Sequence, residues 1–121
     1  MSDTLNLGKK GEDITVDFLR KKGFIIFKRN YHSRFGEIDI IAEKGDLLLF
    51  VEVKTRFYNA LVSPAQAVDP VKQNRIKQTA KSFISKTHID YRCRYDVAEI
   101  TVREENGKLK YSLNYIKNAF Q

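Results

Sequence analysis

Short apolar runs alternate with polar punctuation along this chain, at the spacings expected of a mixed α/β protein. Residues 8–22 (GKKGEDITVDFLRKK) read as a helix that stops at Gly23. Phe24–Tyr31 (FIIFKRNY), rich in β-branched and aromatic side chains, predicts a strand. Arg34–Glu43 and Leu47–Arg56 predict two more, joined by Lys44-Gly45-Asp46. Phe57–Val68, with Pro64, reads as an irregular connection. Asp69 and Pro70 then supply the N-cap and first helical position of a second helix. Its Ile76, Ala80, Phe83 and Ile84 recur at i, i+4, i+7 and i+8, one apolar stripe. Arg92–Arg103 and Lys108–Ile116 are the last two strands, separated by the turn signal Glu105-Asn106-Gly107-Lys108. The predicted order is α-β-β-β-α-β-β. With no repeat or linker in view, residues 1–121 are expected to form one domain around one core.

Charges interrupt the apolar pattern most conspicuously in residues 36–56 (GEIDIIAEKGDLLLFVEVKTR), at Glu37, Asp39, Glu52 and Lys54. Strict alternation puts Glu37 and Asp39 on one face and Ile38, Ile40 and Ala42 on the other. Glu52 and Lys54 likewise oppose Leu49, Val51 and Val53. With Gly45-Asp46 as a two-residue turn, Asp39 falls across from Glu52 and Glu37 from Lys54. A four-residue loop would preserve these faces; a three-residue loop with a bulge would upset them. Directly opposed carboxylates repel, a local defect that a cation can compensate. Oxygen donors without a nearby His or Cys suit Mg²⁺ and disfavour zinc. The competing reading is the polar face of a half-exposed hairpin. Ile41, Leu48 and Phe50 on the same predicted face point instead to a cleft floor.

The first helix brings another acid. Val16 and Leu19 fall within about 40° of Glu12, while Asp13, Asp17 and Arg20 occupy the opposite arc. Glu12 therefore borders the apolar side, although a first-turn Glu favoured by the helix dipole explains it equally well.

Net charge sharpens the picture. Lys and Arg number 22 against 15 acids, a balance of +7 that favours polyanions such as nucleic acid. The excess gathers after the hairpin: Arg56, Lys72, Arg75, Lys77, Lys81 and Lys86 face only Asp69 over residues 56–86. Lys9, Lys10, Arg34, Arg56, Lys72 and Arg75 are the candidate phosphate contacts, expected to give salt-dependent binding with little sequence preference. Each alone also reads as a solvated surface cation. His32 and His88 read as surface residues, Phe35 as packing. Tyr31 and Tyr58 are candidates for stacking on unpaired bases. A lone cysteine, no apolar leader and no membrane-length run give the expectation of a cytoplasmic protein without a membrane partner.

An acid, a gap containing a hairpin and then Glu52-Val53-Lys54 resembles the signature of the PD-(D/E)XK nuclease superfamily. Gly11-Glu12-Asp13, G-E-I-D-I-I at 36–41, F-V-E-V-K-T-R at 50–56, the Ala67–Arg75 segment and R-Y-D-V at 94–97 look like the YraN-type proteins. Those are commonly grouped near archaeal Holliday-junction resolvases. Ile38 stands where the superfamily's name has proline. The resemblance implies a restriction-endonuclease-like core, a central mixed sheet flanked by helices. It implies Mg²⁺, or Mn²⁺ in its place, on Asp39, Glu52 and the Val53 carbonyl, with Glu12 completing the site. Lys54 would orient or deprotonate the attacking water, and Glu37 would be an accessory acid. The expected activity is hydrolysis of structured, branched DNA, by a homodimer where symmetric junctions are resolved. The alternatives are a non-catalytic nucleic-acid-binding module on the same fold and a protein-interaction domain using its sheet edges.

Overall fold

The computed structural model describes residues 2–58 and 68–121 and places the seven elements in the predicted order. Helix α1 (Ser2–Lys21) is followed by β1 (Ile25–Ser33), β2 (Gly36–Lys44) and β3 (Leu47–Phe57). Helix α2 (Pro70–Ser85), β4 (Arg92–Glu105) and β5 (Lys108–Phe120) complete the chain. The spatial order of the strands is β1-β2-β3-β4-β5. β3 and β4 run parallel with α2 in the connection, and the other neighbours are antiparallel. This mixed sheet between helices is the restriction-endonuclease-like core.

Alternation in β3 explains the layering. Leu49 and Val51 pack under Val16 and Leu19 of α1, with Ile40, Ala42 and Ala98. Leu48 and Phe50 turn to the other face, against Ile76, Ala80 and Phe83 of α2. A strand covered on both faces has to be almost continuously apolar, as 47–51 is. The helix start predicted at Asp69 is built as expected: its side chain accepts from the Lys72 amide at 2.8 Å, with Pro70 in the first helical position. Of the connection predicted over Phe57–Val68, residues 59–67, with Pro64 and Ala67, lie outside the described residues; Phe57 itself ends β3. Among the described residues no helix is long and apolar enough to cross a membrane.

Two elements extend well past their predicted ends, by four residues or more. Helix α1 begins at Ser2 and passes through Gly8 and Gly11. Gly11 is a packing position: a Cβ there would lie 2.1 Å from Thr55 Oγ1, so its lack of a side chain lets α1 rest on β3. Strand β5 continues past Ile116 to Phe120 through a bulge, because Val97 pairs with Ile116 whereas Tyr95 pairs with Phe120. Asn118 adopts φ 52° within it.

Asp96 holds that bulge. Fully buried, it accepts from the Asn118 amide (2.8 Å), from Arg94 Nε and Nη2 (2.9 and 3.0 Å) and from the Tyr115 hydroxyl (2.6 Å). Burial first, then the Asp96 charge, pushes the Tyr115 hydroxyl well above the ordinary phenol range. The Arg-Tyr-Asp-Val stretch at 94–97 is thus a structural anchor of the β4–β5 pair, on the strand next to β3. Asp96→Ala strands a partly buried guanidinium and a buried hydroxyl and is expected to cost about 3–5 kcal/mol. Chemical denaturation measures this, and a loss under about 1 kcal/mol would contradict the anchoring role.

Candidate functional site

The site is built where β2 and β3 separate. Gly45 takes φ +60° at the first central position of their turn, the II′ arrangement, and Lys44 pairs with Leu47. The predicted register holds from there to Ile40 opposite Val51. At that point the ladder ends. Asp39 does not pair with Glu52 or Glu37 with Lys54; instead Asp39 Oδ2 accepts from the Val53 amide at 2.8 Å. A side-chain oxygen takes the donor that a neighbouring strand would have used.

The predicted faces also need correction. Ile38 packs with Ile41 on the α2 side, while Ile40 and Ala42 pack under α1. Strict alternation is therefore broken next to Asp39. The break coincides with a left-handed residue in β1: Asn30, at φ 52°, lies between the pairs Arg29–Ile40 and Tyr31–Ile38. Asp39 consequently lines a depression with Gly8, Glu12, Val53 and Thr55, beneath the N-terminal half of α1.

Glu52 stays on the α2 face, only 6% exposed. Its Oε2 receives Lys54 Nζ at 3.2 Å and also Lys72 Nζ from α2. The two carboxyls consequently differ. Burial and then the Glu52 charge push Asp39 up to about 7, against the lowering effect of the Val53 amide. Burial pushes Glu52 up too, but Lys72, Asp39 and Lys54 outweigh it and leave Glu52 below its ordinary value. Lys54 is depressed, by burial first and by the neighbouring Lys72, against the pull of Glu52. Lys72 is raised despite its own burial, chiefly through Glu52. A carboxyl with raised proton affinity thus stands beside a carboxylate whose ionised form is favoured, with two lysines on the latter.

The remaining candidates divide. Glu12 borders the depression, but its Oε1 accepts from Asn30 Nδ2 (3.2 Å) and Arg29 Nη2 (3.4 Å). Glu37 is exposed, pairs with His32 Nδ1 at 3.2 Å, and lies on the α2 side in a shallow cleft with Lys72 and Arg75. Lys9 pairs with Asp13 at 3.7 Å and Lys10 lies over the Tyr111 ring. Arg34 stacks on Phe35, 4.9 Å from its centroid, so Phe35 is a surface ring and not the packed residue expected. Arg56 buries its Nε without a hydrogen-bond partner among the described residues. Tyr31 packs edge-on against Phe83, whereas Tyr58 is exposed beneath Arg103. Lys72, a candidate phosphate contact, is in addition a carboxylate partner, resting on Glu52. One signal was available: a lysine in the first turn after Asp69-Pro70 opposes the helix dipole and calls for a local anion.

Among the described residues there is no group of three or more His, Cys, Asp and Glu able to hold a metal. Two carboxylates with main-chain oxygen are a smaller set, but one that suits Mg²⁺, which keeps several waters. The raised Asp39 fits such an ion, being a buried acid short of positive charge.

Residues 11–100 match a family model described as "Uncharacterised protein family UPF0102", and this span contains Glu12, Asp39, Glu52, Lys54 and Lys72. A UPF0102 protein of Dictyoglomus thermophilum is 49% identical over 115 residues, covering 94% of this chain and 96% of the relative. One from Dictyoglomus turgidum is 44% identical over 115 residues with the same coverage. Another, from Clostridium botulinum, is 41% identical over 118 residues, covering 96% and 94%. Matched through most of its length by the family model and nearly end to end by these relatives, the chain belongs to the UPF0102 family, on a nuclease-like PD-(D/E)XK fold.

Proposed function

We propose that this protein is a metal-dependent nuclease hydrolysing phosphodiester bonds of structured, branched DNA. The observation that carries this reading is the convergence of Asp39, Glu52 and Lys54 where β2 and β3 part. A mere binder of phosphate gains nothing from buried acids, whereas a hydrolase needs them to collect positive charge.

Asp39 and Glu52 would hold Mg²⁺ or Mn²⁺ with the Val53 carbonyl, Glu12 completing the set. Such an ion supplies Lewis acidity toward the phosphoryl oxygens and a more acidic bound water. Lys54 is held over the site by Glu52, and its depressed ammonium is suited to orienting a water and exchanging a proton with it. Lys72 fixes Glu52 from α2 and adds a second positive charge on the same side. Glu37 stands at the rim with Arg75. Lys9, Lys10, Arg34, Arg56 and Arg75 would provide the wider phosphate contacts, without base readout. Two such sites in opposed orientation, in a homodimer, would serve a symmetric junction.

Lys54→Ala is expected to slow single-turnover cleavage by about 10²–10⁴-fold while leaving DNA affinity within about threefold. Unchanged turnover would remove Lys54 from the chemistry.

The reading as a whole is tested on a labelled four-way junction, a flap, a duplex and a single strand, with Mg²⁺ or Mn²⁺. The reference is an Asp39→Ala/Glu52→Ala double variant. Metal-dependent cutting that the variant loses supports the nuclease and ranks its substrates. Equal binding by both proteins without cutting moves the assignment to a non-catalytic nucleic-acid-binding module. That second reading draws on the way Lys54 and Lys72 already neutralise Glu52, and on the hold that Arg29 and Asn30 have on Glu12.

A further inference from the structure

A second depression lies on the α1 face, at the end of the sheet away from Asp39. It measures about 330 Å³ and is lined by the C-terminal turn of α1, the β2–β3 corner and strands β4 and β5. Its apolar surface combines Leu19 and Leu47 with three rings, Phe18, Phe24 and Tyr115, the Phe18 and Tyr115 rings lying 4.9 Å apart. Its cations are Lys22, Lys44, Lys117 and Arg94. Arg94 is neutralised by Asp96, whereas Lys22, Lys44 and Lys117 have no carboxylate partner among the described residues.

The lysines are placed against the rings. Lys22 Nζ lies over Phe18 at 5.5 Å and Lys44 Nζ over Phe24 at 5.6 Å. Lys44 Nζ is further held by the Lys22 carbonyl at 2.9 Å, beside Gly23 at φ +92°. A concavity with aromatic rings in its walls and three ammoniums that no described carboxylate pairs suits a flat π-system that carries an anion. We propose that this pocket binds a nucleotide, its base against Phe18, Phe24 or Tyr115 and its phosphate on Lys22, Lys44 and Lys117. It is separate from the Asp39–Glu52 site, lying at the Leu47 end of β3. Five or six residues of strand separate the two, on the order of 17–20 Å. A nucleic acid strand of about six nucleotides spans that distance at roughly 3.4 Å per nucleotide.

The test is binding in EDTA, so that its result is independent of cleavage. Fluorescence anisotropy with a labelled 12-nucleotide single strand, and NMR titration with dAMP, are run on the wild type and on Lys22→Gln/Lys44→Gln/Lys117→Gln. A Lys28→Gln/Lys81→Gln/Lys108→Gln variant carries the same charge change elsewhere. The pocket variant is expected to bind the strand about tenfold or more weaker, with a salt slope lower by about 2, and the control to change less than threefold. Phe24→Leu, which keeps the apolar volume but removes the ring, should weaken binding about fivefold or more. Saturable dAMP shifts at Phe18, Phe24 and Tyr115 would identify a free mononucleotide as sufficient. Strand binding with those shifts produced only by the strand would identify a nucleotide within a polymer. Equal losses in the two lysine variants, or binding that leaves those rings unperturbed, would overturn the proposal.

Discussion

Glu52→Gln is expected to abolish metal-dependent cleavage and, separately, to destabilise the metal-free protein by about 2–4 kcal/mol. The stability loss has a specific source. Glu52 is the carboxylate on which both Lys54 and Lys72 rest, and it is nearly inaccessible to water. Glutamine retains the shape but leaves two ammoniums facing each other over a neutral amide. Lys72, the more exposed of the pair, can swing toward solvent; Lys54, with its side chain 20% exposed, is less free to do so. The expected cost therefore falls below that of a fully enclosed broken pair. A second variant, Glu52→Gln with Lys72→Met, should recover about half of the loss, because it removes one stranded charge while filling the same space. Guanidinium denaturation in EDTA reads the stability, and junction cleavage in Mg²⁺ reads the activity. Full activity in Glu52→Gln would exclude the carboxylate from the metal site. A stability equal to wild type would mean that the two lysines are not confined by it.

Much of this site was legible in the chain. The apolar run 47–51 with Glu52 and Lys54 behind it, the Gly45-Asp46 turn and the Asp69-Pro70 helix start each depend on neighbours in sequence, and each forms as its local chemistry dictates. The meeting of Asp39 with the Glu52-Val53-Lys54 segment follows from that turn. Three features were not legible because distant residues set them. The altered face of Asp39 goes with Asn30 in the neighbouring strand and with the Val53 amide, neither of which a period-two pattern encodes. The placement of Lys72 on Glu52 depends on how α2 lies across the sheet. The extension of β5 to Phe120 depends on Asp96 supplying acceptors to the bulge. In each case the deciding interaction spans 14 or more positions along the chain, beyond any local period.

The opposite stability change is expected at the neighbouring acid: Asp39→Asn should abolish metal binding yet make the metal-free protein more stable at pH 8, by about 2 kcal/mol. Burial and the Glu52 charge raise Asp39 from an ordinary 3.8 to about 7. A carboxyl raised in this way binds its proton more tightly folded than unfolded, so the folded state loses stability as pH rises from about 4 to about 7. Above pH 7 the full cost of the ionised, poorly compensated acid is present. Asparagine has no charge to bury, and its carbonyl can still accept from the Val53 amide, so the variant escapes that cost. The full shift sets an upper bound of about 4 kcal/mol; Lys54 and Lys72 nearby, and relaxation of a site close to the surface, bring the expectation down. The gain should shrink as pH falls through 7 and disappear near pH 4, where the wild-type carboxyl is itself neutral. Adding Mg²⁺ reverses the ranking, since at about one hundred times its dissociation constant it stabilises the wild type by about 2.7 kcal/mol and leaves the variant unmoved. Denaturation curves at pH 5 and pH 8, each with EDTA or Mg²⁺, separate these contributions. A variant less stable than wild type in EDTA at pH 8 would show that Asp39 is held as a structural carboxylate. A variant that Mg²⁺ stabilises as strongly as wild type would place the ion elsewhere. The pair of substitutions therefore discriminates between the carboxylates: Glu52 contributes to stability through its lysines, whereas Asp39 is a charge the fold tolerates at a cost that a divalent ion would remove.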